Sequence, residues 1–246
     1  MSALRRLAVI APLALLLALS TGCADRAHAA DDAGEKGFTK LFNGKDTSGW
    51  IYGTEKGKEK KAGVGYQVNP ETGVLYTTKA DGGNLYTEKE YANFILRFDF
   101  KLSEGGNNGL AIRAPREGNA AYEGIELQIL DDSSERYAKL RPEQYHGSIY
   151  DVIAAKRGAL KPVGEWNEQE VVADGRKIKV ILNGQTIVDA NLDDVKDAEK
   201  LKKHPGLSRT GGHLGFLGHG EALEFRNIRL KELPSDTTKT TAPAAK

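Results

Sequence analysis

The chain has 246 residues, a length at which an all-β sandwich commonly forms one unit, so one domain is expected. Lys plus Arg number 35 against 34 Asp plus Glu, interspersed along the chain, so no charge block recruits a phosphate backbone or an anionic membrane, and nucleic acid is excluded as a partner. With 39% hydrophobic residues, 28 glycines, nine tyrosines and seven phenylalanines, the composition supplies both a core and many turns.

The first predicted element is a targeting segment. Arg5 and Arg6 precede the apolar run Leu7 to Leu19, which is short for a bilayer span. Ser20-Thr21-Gly22-Cys23 then places the single cysteine as in a lipoprotein cleavage site, so residues 1–23 read as a lipoprotein-type signal peptide with Cys23 as the lipidated residue. The competing reading cuts after Ala27-His28-Ala29 and discards Cys23. Both predict export to the periplasm or to an outer-membrane anchor, with membrane contact only through the lipid. Neither leaves a thiol for a disulfide. Residues 24–36 are small and polar, as in a flexible tether.

Residues 37–233 carry the folded domain. Phe94, Leu96, Phe98, Phe100 and Leu102 alternate with Ile95, Arg97, Asp99 and Lys101, which is a half-buried strand. Ile125, Leu127 and Ile129 alternate with Glu126 and Gln128, and Ile178, Val180 and Leu182 with Lys177, Lys179 and Ile181. Asp174-Gly175 and Asn183-Gly184 accept the positive φ of tight hairpins and predict a meander. Val195 to Lys203 reads as a short helix ended by Pro205-Gly206. His213–Leu217 and Leu223–Leu230 read as two closing strands joined across Gly218-His219-Gly220. Residues 234–246 lack any pattern and read as a disordered tail. Many short strands with one apolar face each predict an all-β, antiparallel β-sandwich, with strand order left open.

Several stretches, in order, resemble the 3-keto-disaccharide hydrolase domain family. They are Phe38 to Asp46 with Gly49-Trp50, Asn107-Asn108-Gly109-Leu110-Ala111-Ile112-Arg113, Gly124 to Asp131, Gly147-Ser148-Ile149-Tyr150-Asp151, Glu165-Trp166-Asn167, Leu182-Asn183-Gly184, and Gly215 to Gly220 followed by Phe225-Arg226-Asn227-Ile228. The resemblance covers the whole mature domain. It implies a concanavalin A-like jelly roll, a carbohydrate substrate, and cleavage of 3-keto-glycosides, with a sugar 3-dehydrogenase as the upstream partner that supplies the keto group.

Glu126 and Gln128 share the face opposite the core, roughly 7 Å apart along the strand. Ordinary glycoside hydrolysis needs two carboxylates, and this strand offers one. A 3-keto group relaxes that need, because it acidifies the C2 proton and one base then starts an elimination that water completes. Glu126 is the candidate base, with His219 and Tyr150 as candidate acids. Arg113, Gln128, His146, Trp166 and Asp131 are candidate substrate contacts, Arg113 being expected on an outward face. A divalent metal ion fits the chemistry as a cofactor, and no local ligand spacing demands one. Two other readings compete: a non-catalytic, lectin-like carbohydrate-binding lipoprotein, and a structural envelope lipoprotein.

Overall fold

A computed structural model describes residues 35–53, 65–78 and 83–234. The signal peptide of residues 1–23, the lipidation site Cys23 and most of the tether and tail lie outside the described residues. The described part belongs to one compact unit, Gly34–Lys246.

Thirteen strands occur among the described residues: β1 (Thr39–Lys40), β2 (Trp50–Tyr52), β3 (Tyr66–Asn69), β4 (Val74–Thr77), β5 (Gly83–Tyr91), β6 (Phe94–Leu102), β7 (Asn107–Ala114), β8 (Ile125–Leu130), β9 (Trp166–Asp174), β10 (Lys177–Leu182), β11 (Gln185–Asn191), β12 (Gly212–Gly218) and β13 (Leu223–Glu232). The helices are short, α1 (Ala120–Glu123) and α2 (Ala198–Lys203). One sheet runs β11-β10-β9-β6-β13-β4-β3, with β1 also on β13, and the other runs β2-β5-β12-β7-β8. Every pairing between these strands is antiparallel. The fold is the all-β antiparallel sandwich.

Strict alternation in β6, with every second residue buried, presents Phe94, Leu96, Phe98, Phe100 and Leu102 to the space between the sheets. There Phe98 of β6 meets Phe216 of β12 edge-on with centroids 5.6 Å apart, and Phe225 of β13 stacks on Phe216 at 4.0 Å. Offset and edge contacts of this kind are the favoured aromatic geometries. Trp50 stacks on the same Phe216 at 6.0 Å and donates its indole N–H to the Leu41 carbonyl at 2.8 Å. The meander β9-β10-β11 turns at Gly175 and at Asn183-Gly184, all three with positive φ.

Two local expectations change. The strands β12 and β13 are not a hairpin, since they lie in different sheets, and Gly218-His219-Gly220 begins the crossing between them. Glu35, inside the expected tether, is held by ion pairs with Arg97 and, at 2.8 Å, with Arg229.

Candidate functional site

A cavity of about 290 Å³ opens on the face of the five-stranded sheet that points away from the core. That volume sits at the low end of small-molecule sites, roughly 300–1,000 Å³. Its floor comes from strand ends and strand faces: Asn84 of β5, Asn107 of β7, Glu126 and Gln128 of β8, and Leu217 of β12. One wall is the segment Gly118 to Tyr122, where the Asn119 side chain accepts from the Ala121 N–H at 3.0 Å and starts α1. Tyr150 and His219 complete the lining.

Glu126 reaches this face because β8 turns Ile125, Leu127 and Ile129 into the core. Its side chain is 6% exposed, and among the described residues it makes neither a hydrogen bond nor an ion pair. Burial, with a smaller contribution from the negative charge of Asp151, pushes its pKa up to about 8. It is the one carboxylate among the described lining residues. Gln128 lies beside it and accepts from the Ile129 N–H at 3.2 Å through its amide oxygen, which leaves the NH₂ group to offer the cavity.

Tyr150 joins the site through its backbone, its N–H donating to the Glu126 carbonyl at 2.9 Å, and its hydroxyl accepts from Gln144 Nε2 at 3.2 Å. Burial raises its pKa, so it remains a protonated donor. The adjoining Asp151 side chain is nearly inaccessible and paired with Arg141 and, at 2.8 Å, with Lys203. Burial opposes its charge, but those two partners outweigh the effect and hold its pKa below the usual carboxylate value. His219 stands exposed on the rim, and the protein packed around it lowers its pKa.

Four sequence candidates lie elsewhere. Arg113 does not face outward: it is fully buried, with φ of 50°, at a bulge where Leu214 of β12 faces both Ile112 and Arg113. The extra residue breaks the alternation and aims its guanidinium at the Ala92 carbonyl (3.0 and 3.1 Å), the Asn93 side chain (3.3 Å) and the Arg209 carbonyl (3.4 Å). His146 packs between the sheets, stacked on Phe100 at 5.1 Å, its Nε2 3.1 Å from Gln169 Oε1 and its Nδ1 accepting from Leu130 N–H. Burial, only partly offset by Gln169, drops its pKa to about 4, so it is neutral at pH 7. Trp166 lies in the other sheet, with Arg226 at 4.0 Å and Lys101 at 5.0 Å from its ring centroid. Asp131 caps a turn, accepting from the N–H groups of Gly105 (2.9 Å) and Ser133 (3.0 Å).

The pocket also uses residues that the sequence reading passed over. Asn84 and Asn107 share the outward face because Leu85 and Asn108 point inward, a parity legible from alternation. Tyr122 sits in an aperiodic stretch that carried no such signal. Among the described residues no group of three or more His, Cys, Asp or Glu converges as a metal cluster. A cation here would find the Glu126 carboxylate and amide oxygens, including the buried, unpartnered Asn107 Oδ1.

Residues 37–231 match the 3-keto-alpha-glucoside-1,2-lyase-like domain. A 3-keto-disaccharide hydrolase of Bacteroides thetaiotaomicron is 30% identical over 228 residues, spanning 80% of this chain and 79% of that protein. A solved structure of a candidate glycosyl hydrolase from Parabacteroides distasonis superimposes with a TM-score of 0.66 at 28% identity, covering 80% of this chain and 94% of that one. A second from the same organism, at 22% identity and a TM-score of 0.60, shares the fold.

Proposed function

Because the chain belongs to the 3-keto-alpha-glucoside-1,2-lyase-like family, we propose that this carbohydrate hydrolase cleaves 3-keto-glycosides by base-assisted elimination followed by hydration. The observation that carries the reading is Glu126, a single buried carboxylate with a pKa of about 8 in a cavity whose other polar side chains are amides, tyrosines and a histidine. A glycosidase of the ordinary kind needs a second carboxylate roughly 5 to 9.5 Å from the first, and no described lining residue supplies it.

In this reading Glu126, once deprotonated, takes the C2 proton of the 3-keto sugar. The electron pair moves into the carbonyl, and the NH₂ group of Gln128 donates to the developing charge. The glycosidic oxygen then leaves from C1, protonated from the Tyr150 hydroxyl or the rim imidazole of His219. Water adds to the resulting double bond. The Glu126 carboxylate and the Asn107 amide oxygen would hold a divalent ion, which would supply Lewis-acid polarisation of the keto group. The N-terminal segment sends this activity outside the cytoplasm, anchored through Cys23, where a sugar 3-dehydrogenase supplies the substrate.

The test is incubation of the purified protein with a 3-keto-disaccharide and with its unoxidised parent, with and without chelator, for wild type and Glu126→Gln. Sugar released from the keto form alone, and lost in the variant, is the expected result. Binding without release from either would leave the lectin-like reading.

A further inference from the structure

Two outward-facing rungs cross the five-stranded sheet beneath the cavity. The first joins Ile51, Tyr86, Gly215, Ala111 and Glu126, each the register partner of the next. The second joins Asn84, Leu217, Gly109 and Gln128. At roughly 4.8 Å per strand spacing, the Tyr86 and Glu126 backbones stand about 14 Å apart, three spacings. The residues between them, Gly215 and Ala111, are too small to block the gap.

Three glycines shape this floor. A Cβ at Gly109 would lie 2.1 Å from Glu126 Oε1, one at Gly53 would lie 2.2 Å from Tyr86 Cε2, and one at Gly215 would lie 2.3 Å from Tyr86 Cδ1. None of the three has a positive φ. Backbone conformation therefore does not require glycine there, and glycine weakens a strand interior. The nearest atom in every case belongs to one of two side chains, Glu126 or Tyr86, with the Arg116 carbonyl also 2.9 Å from the Gly53 position and the Leu85 carbonyl 2.6 Å from the Gly215 position.

Tyr86 is 1% exposed, and its hydroxyl has no hydrogen-bond partner. The Asn84 side chain stands at the edge of hydrogen-bond reach of the phenol and tempers its pKa as a weak hydrogen bond would, without the geometry of a full one. Burial raises the phenol pKa, so the group remains a donor at every working pH. Buried hydroxyls nearly always find a partner; Tyr86 lies just beneath the cavity lining, with the lining residues Gly53 against its ring and Asn84 beside its hydroxyl.

We propose that Tyr86 is a second substrate-contacting group, its hydroxyl donating a hydrogen bond to the sugar oxygen that becomes anionic when Glu126 removes the neighbouring proton. The inference rests on the 3-keto-glycoside reading above. The C2–H bond breaks, its proton goes to Glu126, and its electron pair enters the carbonyl. Tyr86 keeps its own proton throughout and stabilises the oxygen from the side opposite Glu126.

Tyr86→Phe in the full chain tests this by steady-state kinetics on a 3-keto-disaccharide and by thermal unfolding. The expected result is a kcat lowered about 10²-fold, a KM near that of wild type, and a Tm unchanged or raised, because the free protein loses no hydrogen bond. A wild-type kcat overturns the proposal. A Tm lowered by several degrees also overturns it, because the hydroxyl would then serve the fold. Wild type inactive on the keto sugar would remove the functional reading instead. Tyr86 would then be judged by calorimetry with the unoxidised disaccharide, where equal affinity of the two proteins overturns its role as a contact.

Discussion

Gly109 of β7 lies under the carboxylate of Glu126, with its missing Cβ position 2.1 Å from Oε1. An alanine would favour the strand intrinsically, by about 0.5–1 kcal/mol, yet its methyl would have to expel the carboxylate from the pocket floor. Gly109→Ala is therefore expected to lower kcat/KM about 10²-fold, the scale of a 1 Å misplacement of a reacting group, with the fold intact by circular dichroism. Wild-type kinetics in this variant would show that the carboxylate position is immaterial.

The elevated Glu126 pKa sets a pH dependence. A base must be ionised to act, and with a pKa of about 8 the carboxyl is mostly protonated at neutral pH. The kcat/KM of the wild type is expected to rise about tenfold per pH unit below that value and to level off above it. A profile already flat at pH 6 would exclude Glu126 as the base.

The same shift makes a stability prediction. The folded-state pKa of about 8 exceeds the ordinary 4.5, so the folded protein binds the extra proton between those values. Stability is then fully present below pH 4.5 and is lost as pH rises through 8. The upper limit of the effect is about 5 kcal/mol at 1.36 kcal/mol per pKa unit. Glu126→Gln removes the titration, so its Tm should exceed that of wild type at pH 9 and approach it at pH 5. A constant difference across that range would mean that Glu126 is solvated in the folded state.

How far the fold was legible follows from where one physical rule governs each residue. In β6 and β10, facing core on one side and water on the other, the period of two names every buried residue correctly. On β8 both faces are buried, and the rule still separates Glu126 and Gln128 from Ile125, Leu127 and Ile129, because parity survives burial. It fails at Arg113, where a bulge inserts one residue and turns an expected outward side chain into the interior. His146 was illegible for another reason: its ring partner Gln169 is 23 residues away, and sequence spacing carries no record of such a contact. The turn that Asp131 caps is local through the Ser133 N–H, whereas its bond to the Gly105 N–H, 26 residues away, is not.

The relocation of Arg113 leads to a prediction opposite to that for a substrate contact. Its guanidinium serves the Ala92 and Arg209 carbonyls and the Asn93 side chain, and the Arg113 carbonyl in turn accepts from Arg209 Nε at 2.7 Å. These bonds tie the bulge in β7 to the β5–β6 turn and to the segment before β12. Arg113→Met keeps much of the volume but removes the four part-buried hydrogen bonds of the guanidinium, each worth about 0.5–1.5 kcal/mol net. The expected outcome is a urea midpoint lowered by a destabilisation of about 2–4 kcal/mol, with KM unchanged in the protein that remains folded. A raised KM with unaltered stability would instead return Arg113 to the sugar, because a group that holds only the fold changes how much enzyme is folded and not how tightly that enzyme binds.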